Sequence, residues 1–303
     1  MNRDRYDKKG LSHTHCGVVE LEQDQLPLQY LLDQLLEDAL SDRNFKLPML
    51  PAVVARLMEL ANDPNVSFEE VEKAISSDAV MAGKILAVAN SAYFSRGIPI
   101  TSLRSAISRL GLVQVRDIAF RVALETKVFK NPTYESFMQR ERKHAIGAAM
   151  ICRKVCEMVG LEQDLAFLCG LLHDVGNAVA ASLLVASRKD RNEKLPAPER
   201  LMEALAPVHA DYGSRIIHHW KLPLTIEMAV GLHHGYETRE GPHQMALAVA
   251  VADLACRHAG IGRKRAEVEP LKHKEFFDLN LSVEQAQDVI AFAEEVASSD
   301  VLE

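Results

Sequence analysis

This chain predicts an all-α fold of two packed helical bundles, and three observations carry the prediction. Nearly every segment with a clear apolar period repeats every three to four residues, as a helix with one buried face requires. No run alternates apolar with polar residues between hairpin turns, so strands leave no signal. Serines also stand three residues before Glu or Gln at the start of helical runs, Ser67 with Glu70 and Ser282 with Gln285, the spacing of a capping box.

Residues 1–25 are polar and lack periodic apolar neighbours, which predicts a flexible tail; His13, His15 and Cys16 in "SHTHCG" would bind a metal only if a fixed loop held them. "LPLQYLLDQLLEDAL" carries a leucine stripe and opens the folded part. "PAVVARLMELAND", "SFEEVEKAISSDAVMAGKILAVANSAYF", "SLRSAISRLG" ending on Gly111, and "VQVRDIAFRVALETKVF" complete an N-terminal helical subdomain over residues 26–130. Pro132 marks the break to a second unit, residues 131–260, with helices expected near 135–159, 162–174, 176–187, 199–220, 224–234 and 243–259. "SRKDRNEKLPAPER" reads as a polar loop between two of them. Residues 261–303 are expected to be a charged linker, "GRKRAEVEPLKHKE", and a last helix from Ser282, left to cap the bundle or to make a homodimer contact.

At 303 residues the chain is long enough to bury a substantial core. Its 48% apolar and 25% charged residues are ordinary for a globular protein. No apolar stretch approaches the roughly 18 uncharged residues of a membrane span, and "MNRDRYDKKG" leads into no signal core, so a cytoplasmic protein without membrane contact is expected. The 42 acidic residues outnumber 35 basic ones, and the basic ones are scattered, which argues against general nucleic-acid binding. Of five cysteines, Cys152, Cys156, Cys169 and Cys256 sit in helical apolar segments and read as reduced, buried thiols. Cys152 and Cys156, four apart, have the spacing of a metal pair, but packing is the simpler reading.

The informative residues are polar ones standing where apolar ones belong. His144 shares a helix face with Ala148, Cys152, Val155 and Val159, and so points at the core. His173 and Asp174 end the apolar run of "GLLHDVGNAV"; His209 lies with Tyr212, Gly213 and Ile216; His233 and His234 end "EMAVGLHH". Asp253 is the only charge in "MALAVAVADLAC". A buried carboxylate must be paired, protonated or bound to a metal, because desolvating it costs several kcal/mol. A single buried histidine is usually a hydrogen-bonded core residue, but several at separate sites point to a shared centre.

The order His144, His173-Asp174, His209, His233-His234, Asp253 resembles the HD superfamily of metal-dependent phosphohydrolases, and the extra histidines resemble the two-metal HD-GYP branch. The resemblance implies one or two divalent transition ions, iron, manganese, nickel or zinc, with Asp174 bridging. His144, His173 and Asp253 would hold one ion, and His209, His233 and His234 the other. In an active site His173 and Asp174 would belong to the catalytic machinery. The glycine of "HDVGN" is expected to let the chain turn sharply after the pair. Hydrolytic relatives commonly follow that glycine with a phosphate-holding lysine; here Asn177 stands there, an uncharged candidate for substrate binding. "HHGYETREG" also lacks the full glycine-tyrosine-proline loop.

A second resemblance covers about 200 residues. Leu47-Pro48 with Leu50-Pro51, Ser77-Asp78, Asn90-Ser91-Ala92-Tyr93-Phe94, Ala106 to Gly111, and "HADYGSRIIHHWKLP" are similar to the HD-related output domain, HDOD. From the residues alone, Asn90 and Ser91 cap a helix, Tyr93 and Phe94 dock the two halves, and Trp220 and Pro223 make a helix end and turn. The family's members are bacterial signalling outputs, often joined to receiver domains, and many lack an intact metal set. This chain keeps the set, and with a short N-terminal tail and a short C-terminal extension it is expected to act without a receiver domain of its own. The expected function is therefore metal-binding signal transduction through a protein partner or a nucleotide ligand, with hydrolysis of a nucleotide phosphoester as the alternative.

Overall fold

The computed structural model describes residues 28–41, 46–61, 63, 65–91, 97–189, 194–266 and 268–302, and the fold is all-α as expected. Among the described residues the only strands are β1 (Glu237–Thr238) and β2 (Gly241–Pro242), a minimal antiparallel pair. The tail with His13, His15 and Cys16, and the pair Tyr93 and Phe94, lie outside the described residues.

The N-terminal bundle contains α2 (Ala52–Ala61), α3 (Phe68–Ser76), α4 (Ala79–Ala89), α5 (Leu103–Leu110) and α6 (Leu112–Lys127). Ser67 and Glu70 form the expected capping box on α3. The period that follows is divided because Asp78 caps a new helix, its Oδ1 accepting from the N–H groups of Val80 and Met81. Asn90 ends α4 and reaches across the chain: its amide donates to Leu86 O and Ile100 O, while its Oδ1 accepts from Ile100 N at 2.7 Å.

The second bundle contains α7 (Glu135–Val159), α8 (Ala166–Leu172), α9 (Val175–Lys189), α10 (Pro198–Leu205), α11 (His209–His219), α12 (Leu224–Leu232) and α13 (Gln244–Ala259). Two expected helices are corrected. The one placed at 162–174 begins only at Ala166 and stops at Leu172, leaving His173-Asp174 in the turn before α9. The one placed at 199–220 is two helices, because Pro207 has no N–H to donate into the helical ladder; Ala206 is still helical, and the backbone departs at Val208, with φ −124° and ψ −15°. That break makes His209 the first residue of α11.

α1 (Leu28–Leu40) buries Leu31, Leu32, Leu35 and Leu36 and packs on α9, α10 and α11, so the helix that precedes the first bundle in sequence rests on the second. Short α14 (Lys274–Asp278) follows the linker, and α15 (Val283–Ala297) starts with the Ser282–Gln285 capping box and packs against α7 and α13. The bundles meet at a buried ion network in which Arg116 donates to Asp117 at 2.8 Å and to Asp164 O, and Arg153 pairs with the same Asp117. Trp220 adds a second tie, its indole N–H donating to Pro48 O at 2.9 Å. Residues Ala166–Arg188 are long and apolar enough by composition to cross a bilayer, but 83% of their most apolar window is buried inside the fold. They read as the core of the second bundle. Cys152, Cys156, Cys169 and Cys256 are buried and reduced; the neighbouring Cys156 and burial push the Cys152 thiol up, which suits packing.

Candidate metal centre

Five elements of the second bundle aim polar side chains at one buried point. α7 supplies His144 from its middle, the α8–α9 turn supplies His173 and Asp174, and α11 supplies His209 from its first residue. His233 and His234 follow the last turn of α12, and Asp253 comes from α13. All seven residues converge.

Backbone contacts set the imidazole tautomers. Nδ1 of His144 faces Ile261 O at 3.1 Å, that of His173 faces Gly170 O at 2.8 Å, that of His209 faces Ala206 O at 3.0 Å, and that of His233 faces Val230 O at 2.7 Å. A carbonyl oxygen only accepts, so each Nδ1 carries the hydrogen, and it is Nε2 of each ring that is turned inward, the nitrogen left to ligate when the ring is neutral. Nε2 of His144 and of His173 are buried without a hydrogen-bond partner. Asp253 Oδ1 lies 3.1 Å from His144 Nε2, but without the alignment of a hydrogen bond.

The donors fall into two groups that share one carboxylate. His144, His173 and Asp174 form one, and His209, His233 and His234 the other, each with its ligand atoms within 4.8 Å of one another. Asp174 Oδ2 is 3.5 Å from His173 Nε2 and 3.7 Å from His144 Nε2; its Oδ1 is 3.2 Å from His209 Nε2 and 3.8 Å from His233 Nε2. Ligand atoms about 2.1 Å from a common ion are spaced in this range. Buried, inward lone pairs with no protein partner fit a transition metal, and the mixed nitrogen and oxygen set suits iron, manganese, nickel or zinc.

Burial pushes His173 and His233 down to about 4, because an imidazolium there would be poorly solvated. Burial also opposes charge on His209, yet the Asp174 carboxylate beside it outweighs this and raises its pKa. Burial works against the Asp174 and Asp253 carboxylates too, but is overcome for the first by His173, His209 and Arg263, and for the second by His144 and Arg257; both titrate below the usual range.

Three residues at the centre had no sequence signal. Arg263 Nη2 lies 2.6 Å from Asp174 Oδ2, and the same guanidinium pairs with Glu141, which is 1% exposed on α7. Arg257 Nη2 lies 2.6 Å from Asp253 Oδ2. They stand in charged or helical-surface stretches, where ionised side chains are the default. Asn177 is 2% exposed, and its amide donates to Glu141 Oε2 at 3.0 Å. Its NH2 is turned to that carboxylate, while its Oδ1 is buried without a hydrogen-bond partner.

The glycine of "HDVGN" does not make a sharp turn. Gly176 is helical, and it is needed because α9 and α11 approach closely there: a Cβ would run into His209 O and come within 2.9 Å of Gly213 N. Gly176→Ala is therefore expected to push α11 and His209 away, costing about 3 kcal/mol by overpacking. Urea denaturation and retained metal would both fall; unchanged values would refute this account. Gly262 does need its freedom: its φ of 64° lays the chain against α7, where a Cβ would be 2.7 Å from His144 N, and so delivers Arg263 to the site.

Comparison with known proteins places the fold. The model of the HDOD domain matches residues 47–236. An HDOD domain protein of unknown function from Geobacter sulfurreducens has a similar structure, with TM-score 0.67 and 23% identity over 90% of this chain and 97% of that one. A Shewanella amazonensis protein provisionally described as a metal-dependent phosphohydrolase gives 0.60 and 24% over 91% and 95%. A Marinobacter aquaeolei protein provisionally described as a signal transduction protein gives 0.62 and 20% over 91% and 67%. These likenesses establish the fold. The chain spans 40% of the first curated relative it matches and 14% and 21% of two others.

Proposed function

This chain belongs to the HDOD domain family, and we propose that it acts as a metal-binding signal-transduction protein, working through a signalling partner or a nucleotide ligand. One observation carries the metal: four histidines donate Nδ1–H to backbone carbonyls and aim Nε2 at Asp174, and two of those nitrogens are buried without a partner. Two features favour signalling over turnover. Asn177, where hydrolytic relatives commonly carry lysine, gives its amide to Glu141, and Arg263 already neutralises Asp174.

A second reading is hydrolysis of a nucleotide phosphoester, favoured by the way Asp174 turns one oxygen to each histidine group. Bound ions would there supply Lewis-acid activation of water and of phosphate. The chain's own part would be Asp174 and His173 holding the ions, with the other histidines around them.

Elemental analysis of anaerobically purified protein is expected to find a stoichiometric transition metal; its absence would sink both readings. The metal-loaded protein is then screened against cyclic dinucleotides, nucleoside triphosphates and general phosphodiesters, with Asp174→Ala as control. No turnover is expected. Turnover that Asp174→Ala abolishes would make the protein a phosphohydrolase instead.

A further inference from the structure

We propose that Arg263 is a built-in competitor for one of two ion positions, so that the centre holds one divalent ion tightly on the His209–His233–His234 side and admits a second only in excess. This rests on the metal-binding reading above and concerns how the ions distribute.

Asp174 is the one carboxylate shared by both sides. Its Oδ1 is faced, among the described residues, only by imidazole nitrogens, His209 at 3.2 Å and His233 at 3.8 Å. Its Oδ2, turned to His144 and His173, has the Arg263 guanidinium at 2.6 Å. Glu141 and Asp174 together hold that guanidinium, and the left-handed backbone of Gly262 fixes the loop that carries it. On the same side Asp253 Oδ2 is taken by Arg257 at 2.6 Å. Both carboxylates of the His144–His173 side therefore already carry an internal cation.

A dication entering that side must lift Arg263 from Asp174 and stand close to two guanidiniums. One entering the other side meets three imidazoles and a carboxylate oxygen that faces imidazole nitrogens and no guanidinium. Arginine stays charged at any working pH, so the competition is permanent. The unpartnered Nε2 atoms of His144 and His173 are the ligands of the weaker position, open to an ion once Arg263 moves.

The test counts cobalt(II) ions per chain, by mass spectrometry of the metal, after loading with excess ion and passage over a chelating resin. Wild type is expected to retain one ion and Arg263→Gln two. Because losing Arg263 strands the buried Glu141, Glu141→Gln/Arg263→Gln is measured beside it and is also expected to retain two. In the wild-type background His234→Ala should retain none and His144→Ala still one. Two ions in wild type, one in both Arg263 variants, or loss through His144→Ala but not His234→Ala would each overturn the proposal while leaving metal binding intact. No ion in any protein would overturn the metal reading itself.

Discussion

Asp174→Asn is expected to release the bound metal and to lower stability by about 3 kcal/mol in metal-containing buffer. Asparagine keeps the shape, so no cavity confounds the result. The carboxylate is the one group that faces both histidine clusters, and removing its charge strips oxygen ligation from each. Metal bound to the native state at 100 times its Kd stabilises by about 2.7 kcal/mol, and that contribution vanishes with the ion. A smaller loss remains without metal, because Arg263 and His209 give up a buried counter-charge, although Arg263 keeps Glu141. A chelator should lower the melting temperature of wild type and leave the variant nearly unmoved. Full metal content in Asp174→Asn, or a chelator response equal to wild type, would contradict this account.

Metal-free protein is expected to lose stability steeply as pH falls from 6.5 towards 4. His173 and His233 are fully buried and are held down to about 4 by desolvation, against an ordinary value of 6.5. Between those values the unfolded chain binds protons that the folded chain refuses, so stability rises with pH across the window. At pH 5 each of these histidines accounts for about 2 kcal/mol of lost stability. His209 works in the opposite sense: its raised pKa contributes stability at low pH that is lost as pH rises, which offsets part of the fall. The depressed Asp174 and Asp253 add a further loss in more acid solution. Urea midpoints at pH 5 and pH 7.5 measure the slope, and His173→Gln/His233→Gln should flatten it. A midpoint independent of pH over this range would show that the imidazoles are not buried neutral. With metal bound the direction is the same, since protons compete for Nε2.

The helices were readable because burial imposes a period. Leu31, Leu32, Leu35 and Leu36, or the capped starts at Ser67 and Ser282, declare their elements within a few residues. Helix ends were harder. Pro207 was visible in the sequence, yet the apolar period runs on past it, and the break it makes is what puts His209 at the first residue of α11. Gly176 was visible as well, but its reason was not: a glycine before a turn and a glycine under a crossing helix look alike until the partner, here α11, is in place.

The seven converging residues were legible for one reason. A charge or imidazole on an apolar face is anomalous, and His144, His173, Asp174, His209, His233, His234 and Asp253 each broke a local pattern. Arg263, Glu141 and Arg257 broke none, because a charged residue in a polar loop or on a helix flank is the ordinary case. The sequence by itself thus determined an all-α chain with a cluster of misplaced ligand-type side chains. Only the tertiary structure decided which of their charges are already answered from within, since an ion pair between Arg263 and Asp174, 89 residues apart, depends on the path of the chain and leaves no trace in local composition.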